Sequence, residues 1–221
     1  MKIAVNDVEL NYQKFGSGHP LILLHGNEED GSIFDKISSP LSLYFTVYVL
    51  DARGHGGSSR EDLAENYHYQ TFVDDLREFI AKLALQDPYI FGFSDGGIIA
   101  LMLASQNPDL ISKLMVAGVN VTPDGLVPSL RLKYRFLNSF KRSPEIDMML
   151  DDADISDDSL RKIKAETLCV VGEKDVVKVE HTRKIAERIP NSRIIVMPKQ
   201  NHSSYVVHSL KLMTLMKDFF K

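Results

Sequence analysis

Apolar and polar residues along this chain fall into two alternating rhythms. Short apolar runs end at a glycine, a proline or a charge, and between them lie stretches whose apolar positions recur every three or four residues. "KIAV" and "ELNYQKF" read as two short strands joined by the turn residues Asn6-Asp7. "PLILLHG" and "FTVYVLD" (45–51) are the continuous apolar runs expected of strands buried on both faces of a parallel sheet. "DPYIFGF", "SKLMVAGV", "TLCVVGEKD" and "RIIVMP" have the same character. Phe72, Leu76, Phe79, Ile80 and Leu83 fall at helical spacing and predict an amphipathic helix over 70–85. Further helices are predicted around 32–39, over 95–106 with a stop at Asn107-Pro108, and around 179–188. Val206, Leu210, Met213 and Phe220 predict a final helix.

Strand and helix alternating in this way imply the α/β class: a mostly parallel central sheet with helices on both faces. Short connections and right-handed crossovers then limit the topology. The rhythm breaks between Val121 and Glu166, where no strand pattern appears and charge is sorted into blocks. "RLKYRFLNSFKR" (131–142) carries five basic residues, and "EIDMMLDDADISDD" (145–158) carries seven acidic ones. Residues 121–166 are therefore expected to form a short helical cap on a core made of 1–120 and 167–221. It would sit over the sheet's C-terminal edge, where α/β proteins hold ligands. The basic block, with Tyr134, Phe136, Leu137 and Phe140 suggesting an amphipathic helix, reads alternatively as a membrane or nucleic-acid contact, but the acidic block is expected to neutralise it.

Composition narrows the picture only slightly. At 221 residues and a net charge of −4, with 44% hydrophobic residues, the chain is expected to be one domain with no nucleic-acid or membrane partner. Cys169 lies in an apolar run and reads as a buried small hydrophobe. The N-terminus lacks the apolar stretch of a signal peptide, and no run approaches the ~20 residues that cross a bilayer, so a cytoplasmic location is expected. No H-E-x-x-H or paired-cysteine spacing occurs, and neither a metal nor a cofactor is expected.

The candidate chemistry centres on "YIFGFSDGGIIALMLA" (89–104). Gly92-Phe93-Ser94-Asp95-Gly96 matches G-x-S-x-G between a strand and a helix, the context of a nucleophile elbow. A serine hydroxyl attacks only with an imidazole to take its proton, a group to orient that imidazole, and donors for the oxyanion. With these residues the chain resembles the α/β-hydrolase fold superfamily of serine hydrolases. In that family the order is serine, acid, histidine. The resemblance implies Ser94 as nucleophile, Asp175 at the end of "TLCVVGEKD" as acid, and His202 in "KQNHSS" as base. It also implies oxyanion donors at the backbone N–H groups of Asn27, in "HGN", and Asp95. "DARGHGGSS" (51–59) resembles the family's D-x-R-G-x-G-x-S loop.

Alternatives remain at the level of sequence. Asp151, Asp152 or Asp154 would replace Asp175 from the cap, and His208, expected in the final helix, competes with His202. His25 and His55 read as structural, and His19, His68 and His181 as surface residues. The activity implied is hydrolysis of a small carboxylic ester. A thioesterase, a lactonase, a carbon–carbon bond hydrolase using Arg53 or the basic block to hold an acid, and a slow-turnover receptor stand beside it. "GFSDGGIIALMLASQNPDLISKLMVAGVNVTPDG" further resembles the valacyclovir-hydrolase-like branch, which acts on amino-acid esters. That implies a substrate-binding role for Asp95, with Glu28 of "NEEDG" as a second acid at the pocket mouth. The competing reading makes these acids helix N-terminal residues favoured by the macrodipole.

Overall fold

A computed structural model describes residues 1–59 and 67–221. Arg60, which follows the glycine-rich loop, lies outside the described residues, as does the side chain of Asp151. The strands are β1 (Lys2–Val5), β2 (Val8–Phe15), β3 (His19–Leu24), β4 (Phe45–Leu50), β5 (Tyr89–Phe93), β6 (Lys113–Ala117), β7 (Glu166–Gly172) and β8 (Ser192–Met197). They form one sheet in the order β1-β2-β4-β3-β5-β6-β7-β8. The two N-terminal strands join it antiparallel, and β4 through β8 run parallel with β3 among them.

The uninterrupted apolar runs of the central strands are explained by burial on both faces. Ile22 and Leu24 of β3 belong to one core cluster, Leu21 and Leu23 to the other, because successive side chains point to opposite faces. The first cluster is covered by α2 (Tyr69–Lys82), α3 (Asp95–Gln106) and α7 (Val179–Arg188), the second by α1 (Asp35–Leu41) and α8 (Met213–Phe220). Cys169 is fully buried in the first cluster, and burial pushes its thiol up to about 12.

Between β6 and β7 the described residues add no strand to the sheet. They form α4 (Pro128–Phe140), α5 (Pro144–Asp147), a π-turn over Met148–Asp152 and α6 (Asp157–Arg161). The C-terminal region departs from its expected helix. Residues 202–208 and 211–212 are turns, His208 takes φ +48°, and the helix begins only at Met213, leaving Leu210 exposed. His208 is thus held outside any helix, its N–H on the Ile33 carbonyl at 2.8 Å and its Nδ1 2.9 Å from Asp35.

Arg53 was a candidate for binding an acidic substrate, but it is consumed by the core. It is 2% exposed and donates through Nε and Nη2 to both oxygens of buried Asp75 at 2.8 Å, with Asp7 at 2.7 Å. Removing one partner of such a pair leaves an uncompensated buried charge. Arg53→Met is expected to cost about 3–5 kcal/mol in urea unfolding, and adding Asp75→Leu should recover much of it.

Candidate active site

The strand order places one reversal at the sheet's centre. From β3 the chain moves to β4 on one side and returns to β5 on the other, so the carboxyl ends of β3 and β5 border the crevice of a topological switch point. Gly26 and Asn27 follow β3, and Ser94 follows β5. The chain turns from β5 into α3 with no intervening loop, which forces Ser94 to φ +51° and ψ −120°. A Cβ on Gly92 would lie 2.5 Å from the Gly96 carbonyl oxygen, and one on Gly96 2.5 Å from the carbonyl oxygens of Leu24 and His25. Only glycine fits at either place, which accounts for the spacing of the pentapeptide.

Three residues far apart in sequence meet here. His202 Nε2 stands 3.2 Å from Ser94 Oγ, and its Nδ1 stands 2.6 Å from Asp175 Oδ1. Asp175 has no exposed side-chain surface. It accepts further hydrogen bonds from the Val177 and Gly172 N–H groups and the Tyr205 hydroxyl. Burial acts to raise its carboxyl pKa, but the hydrogen bonds and charge of His202, with the two amides, hold it below the usual carboxylate range. Asp152 is engaged elsewhere, accepting from the Tyr69 N–H at 2.7 Å, and Asp154 is exposed. Gly118 makes room for the imidazole, since a Cβ there would lie 2.8 Å from His202 Cε1.

Ser94 and His202 line a cavity of about 270 Å³. Its apolar wall comes from Phe93, Leu126, Leu130, Ile146, Met149, Val176 and Val177, and its polar wall from Asn27, Glu28, Glu29, Asp95, Asn120 and Tyr134. Three carboxylates face it, while no lysine or arginine is among its described lining. Asp95 begins α3, where N-terminal amides lack an intrahelical acceptor. Its side chain is 5% exposed, with Oδ1 accepting from the Tyr69 hydroxyl at 2.9 Å. Oδ2 accepts no hydrogen bond among the described residues. Burial pushes this carboxyl up to about 6 against the opposing pull of Tyr69 and His202.

The three acids after Asn27 divide their work. Asp30 caps the short 3₁₀ turn Gly31–Phe34 through the Ser32 N–H, as the helix-end reading anticipates. Glu28 is exposed at the cavity rim with φ +57°. Glu29 turns inward, its Oε2 accepting from the Gly26 N–H at 3.0 Å, and burial raises its carboxyl despite that bond. Nothing in the run of acids reveals that Glu29, and not the expected Glu28, is the side chain that turns in. Tyr69 escaped notice for the same reason.

The remaining histidines are scaffolding. His25 is 3% exposed, with Nε2 accepting from Ala52 N–H at 3.0 Å and Nδ1 2.7 Å from the Gly26 carbonyl, tying the glycine-rich loop to the loop after β3. His55 is buried against Tyr67. His19 sits against the Asp87 carbonyl, and His68 is largely exposed. His181 corrects the surface expectation: it is half-buried, and its Nε2 accepts from Val121 N–H at 3.0 Å.

The profile of the family described as alpha/beta hydrolase fold matches residues 19–147, more than half of the chain. The serine hydrolase BPHL of Homo sapiens is 27% identical over 252 aligned residues, covering 100% of this chain and 86% of that protein. The uncharacterized hydrolase YraK of Bacillus subtilis (strain 168) is 32% identical over 109 residues, but the match covers 49% of this chain and 40% of that protein. Among solved structures, the esterase EaEST from Exiguobacterium antarcticum superposes with a TM-score of 0.83 at 25% identity, covering 100% of this chain and 99% of that one.

Proposed function

The chain belongs to the alpha/beta hydrolase fold family and is a hydrolase, and we propose that it cleaves small carboxylic esters through an acyl-enzyme on Ser94. The observation that carries this reading is the continuous chain of hydrogen bonds from Ser94 through His202 to Asp175 at the switch point of the sheet. His202 takes the Ser94 proton as Oγ attacks the ester carbonyl, and the backbone amides of Asn27 and Asp95 receive the oxyanion. His202 then protonates the leaving alcohol. Water, deprotonated by the same imidazole, releases the acid. Asp175 holds His202 in the tautomer whose Nε2 is free to accept.

The substrate class follows from the cavity's charge. With carboxylates at Glu28, Glu29 and Asp95 and no lysine or arginine among its described lining, the cavity repels an anionic acyl group. That argues against a carbon–carbon bond hydrolase, which needs a cation to hold its acid. It favours an ester carrying an ammonium group, in line with the resemblance to the valacyclovir-hydrolase-like branch. Asp95, which lines the cavity and has one buried carboxylate oxygen unpartnered among the described residues, is the proposed receptor of that ammonium, with Glu28 at the rim.

The test compares kcat/KM for two benzyl esters of one acyl skeleton, with and without an α-ammonium, using Ser94→Ala as the blank. A preference of at least about tenfold for the charged ester is expected, about 1.4 kcal/mol in transition-state binding, and Asp95→Asn should abolish it. The preference should also depend on pH. With its carboxyl raised to about 6, Asp95 is charged above that value and neutral below it. The ratio between the esters should therefore fall as the solution is acidified through about pH 6. Equal rates at every pH would remove the ammonium reading and leave the esterase. Stalling after one equivalent of product would instead favour a receptor.

A further inference from the structure

Half of the exposed large hydrophobics among the described residues stand on α4. They are Leu132, Phe136, Leu137 and Phe140, against Met1, Leu43, Tyr44 and Leu210 elsewhere. No residue of α4 is buried. Leu130 and Tyr134 line the cavity from one side of the helix. At 3.6 residues per turn, Leu132, Phe136 and Phe140 form a stripe on the other side, with Lys133 along one edge and Arg135 along the opposite one. Phe136 and Phe140 meet edge to face with centroids 4.8 Å apart, and they are 62% and 75% exposed. An apolar stripe of this kind on a surface marks an interaction site.

The charges identify what it meets. The acidic block was expected to neutralise the basic one, and it does so only in part. Asp124 pairs with Arg131 and Asp147 with Arg142. Asp157 and Asp158 pair with Arg161 and Arg188, and Asp152 caps Tyr69. Among the described residues Lys133, Arg135 and Lys141 form no ion pair, and α4 itself contains no acid. A second copy of the chain is a poor fit, because a two-fold contact along this stripe would bring Lys133 and Arg135 of both copies together. A flat surface that is anionic outside and hydrocarbon within accepts both features at once.

We propose that the outer face of α4 docks on anionic lipid bilayers, with Leu132, Phe136 and Phe140 entering the acyl boundary. Lys133, Arg135 and Lys141 meet headgroup phosphates. This replaces the expectation of no membrane partner and involves no crossing of the bilayer: no described helix is long and apolar enough for that. It is independent of the chemistry proposed for Ser94.

The test is co-sedimentation of the full chain with vesicles of equal parts phosphatidylcholine and phosphatidylglycerol, against phosphatidylcholine alone. Binding is expected to the anionic vesicles only and to weaken with salt. Lys133→Glu/Arg135→Glu/Lys141→Glu should lower the partition coefficient at least about a hundredfold. Leu132→Ser/Phe136→Ser/Phe140→Ser should leave the protein in the supernatant. Circular dichroism and hydrolysis of a water-soluble ester should match the wild type in both variants, since every altered side chain is outside the cavity lining. The proposal is overturned if the wild type ignores the anionic vesicles, or if it binds both kinds equally. It is also overturned if light scattering finds a dimer that the apolar variant converts to a monomer, which would give the face to a second copy.

Discussion

Ser94→Ala is expected to lower kcat on a small ester by about a million-fold, to a residual rate supplied by binding and the oxyanion donors alone. The expectation rests on the unity of the hydrogen-bonded chain: with Oγ gone, His202 has no proton to take and Asp175 orients an idle ring. The loss should fall on kcat with little change in KM, because in the proposed mechanism Ser94 acts in the transition state rather than in binding. Mass spectrometry of the wild type after rapid acid quench should find the mass of the acyl group on the peptide containing Ser94. A variant that keeps the wild-type rate would remove the proposed mechanism altogether.

The same position offers a stability readout that a merely structural serine would not give in company with lost activity. Ser94 holds φ +51°, a conformation that glycine adopts without strain and serine does not. Ser94→Gly should therefore be inactive yet at least as stable as the wild type, by about 1 kcal/mol in urea unfolding. Strain kept at a site that would be more stable without it is what a nucleophile elbow predicts.

The second large effect is expected at Asp175. Asp175→Asn should lower kcat by about ten-thousand-fold while leaving the fold intact. The reason lies in the partners of its two oxygens. Oδ1 faces His202 Nδ1 and the Val177 N–H, and Oδ2 faces the Gly172 N–H and the Tyr205 hydroxyl. An asparagine has a single oxygen to satisfy these donors. Either orientation sets the NH2 against one backbone N–H, and with the NH2 in the Oδ1 place it also meets His202 Nδ1, which must then accept. The ring proton moves to Nε2, and the imidazole faces Ser94 as a donor unable to take its proton. The charge itself also matters, because the carboxylate stabilises the imidazolium formed during attack. Asp152→Asn, by contrast, should leave kcat close to wild type, since Asp152 holds the Tyr69 amide and has no contact with His202.

Much of this arrangement is local in origin and so legible along the chain. A strand buried on both faces reads as an unbroken apolar run whatever surrounds it, and β3 through β8 were recognisable for that reason. The pentapeptide Gly92–Gly96 was equally readable, because the steric demand that excludes a Cβ is made by residues within five positions of Gly92 and by the chain at the end of the strand beside it. Errors began where a residue's surroundings come from elsewhere. Arg53 looked available to a substrate until Asp75 of α2 and Asp7 of the first hairpin closed on it. His208 looked helical until a left-handed turn set it against Asp35.

Pattern along the chain was therefore sufficient for the α/β class, the order of strands in sequence, and the turn that presents Ser94, since periodicity and backbone sterics act over a few residues. Tertiary folding alone decided which acid of Glu28 and Glu29 turns inward and which hydroxyl answers Asp95. It also decided which cations of the basic block stay unpaired and which side of α4 faces water. Each of these depends on distances between segments tens of residues apart, and a side chain's charge and exposure are properties of the neighbours it acquires, not of its place in the chain.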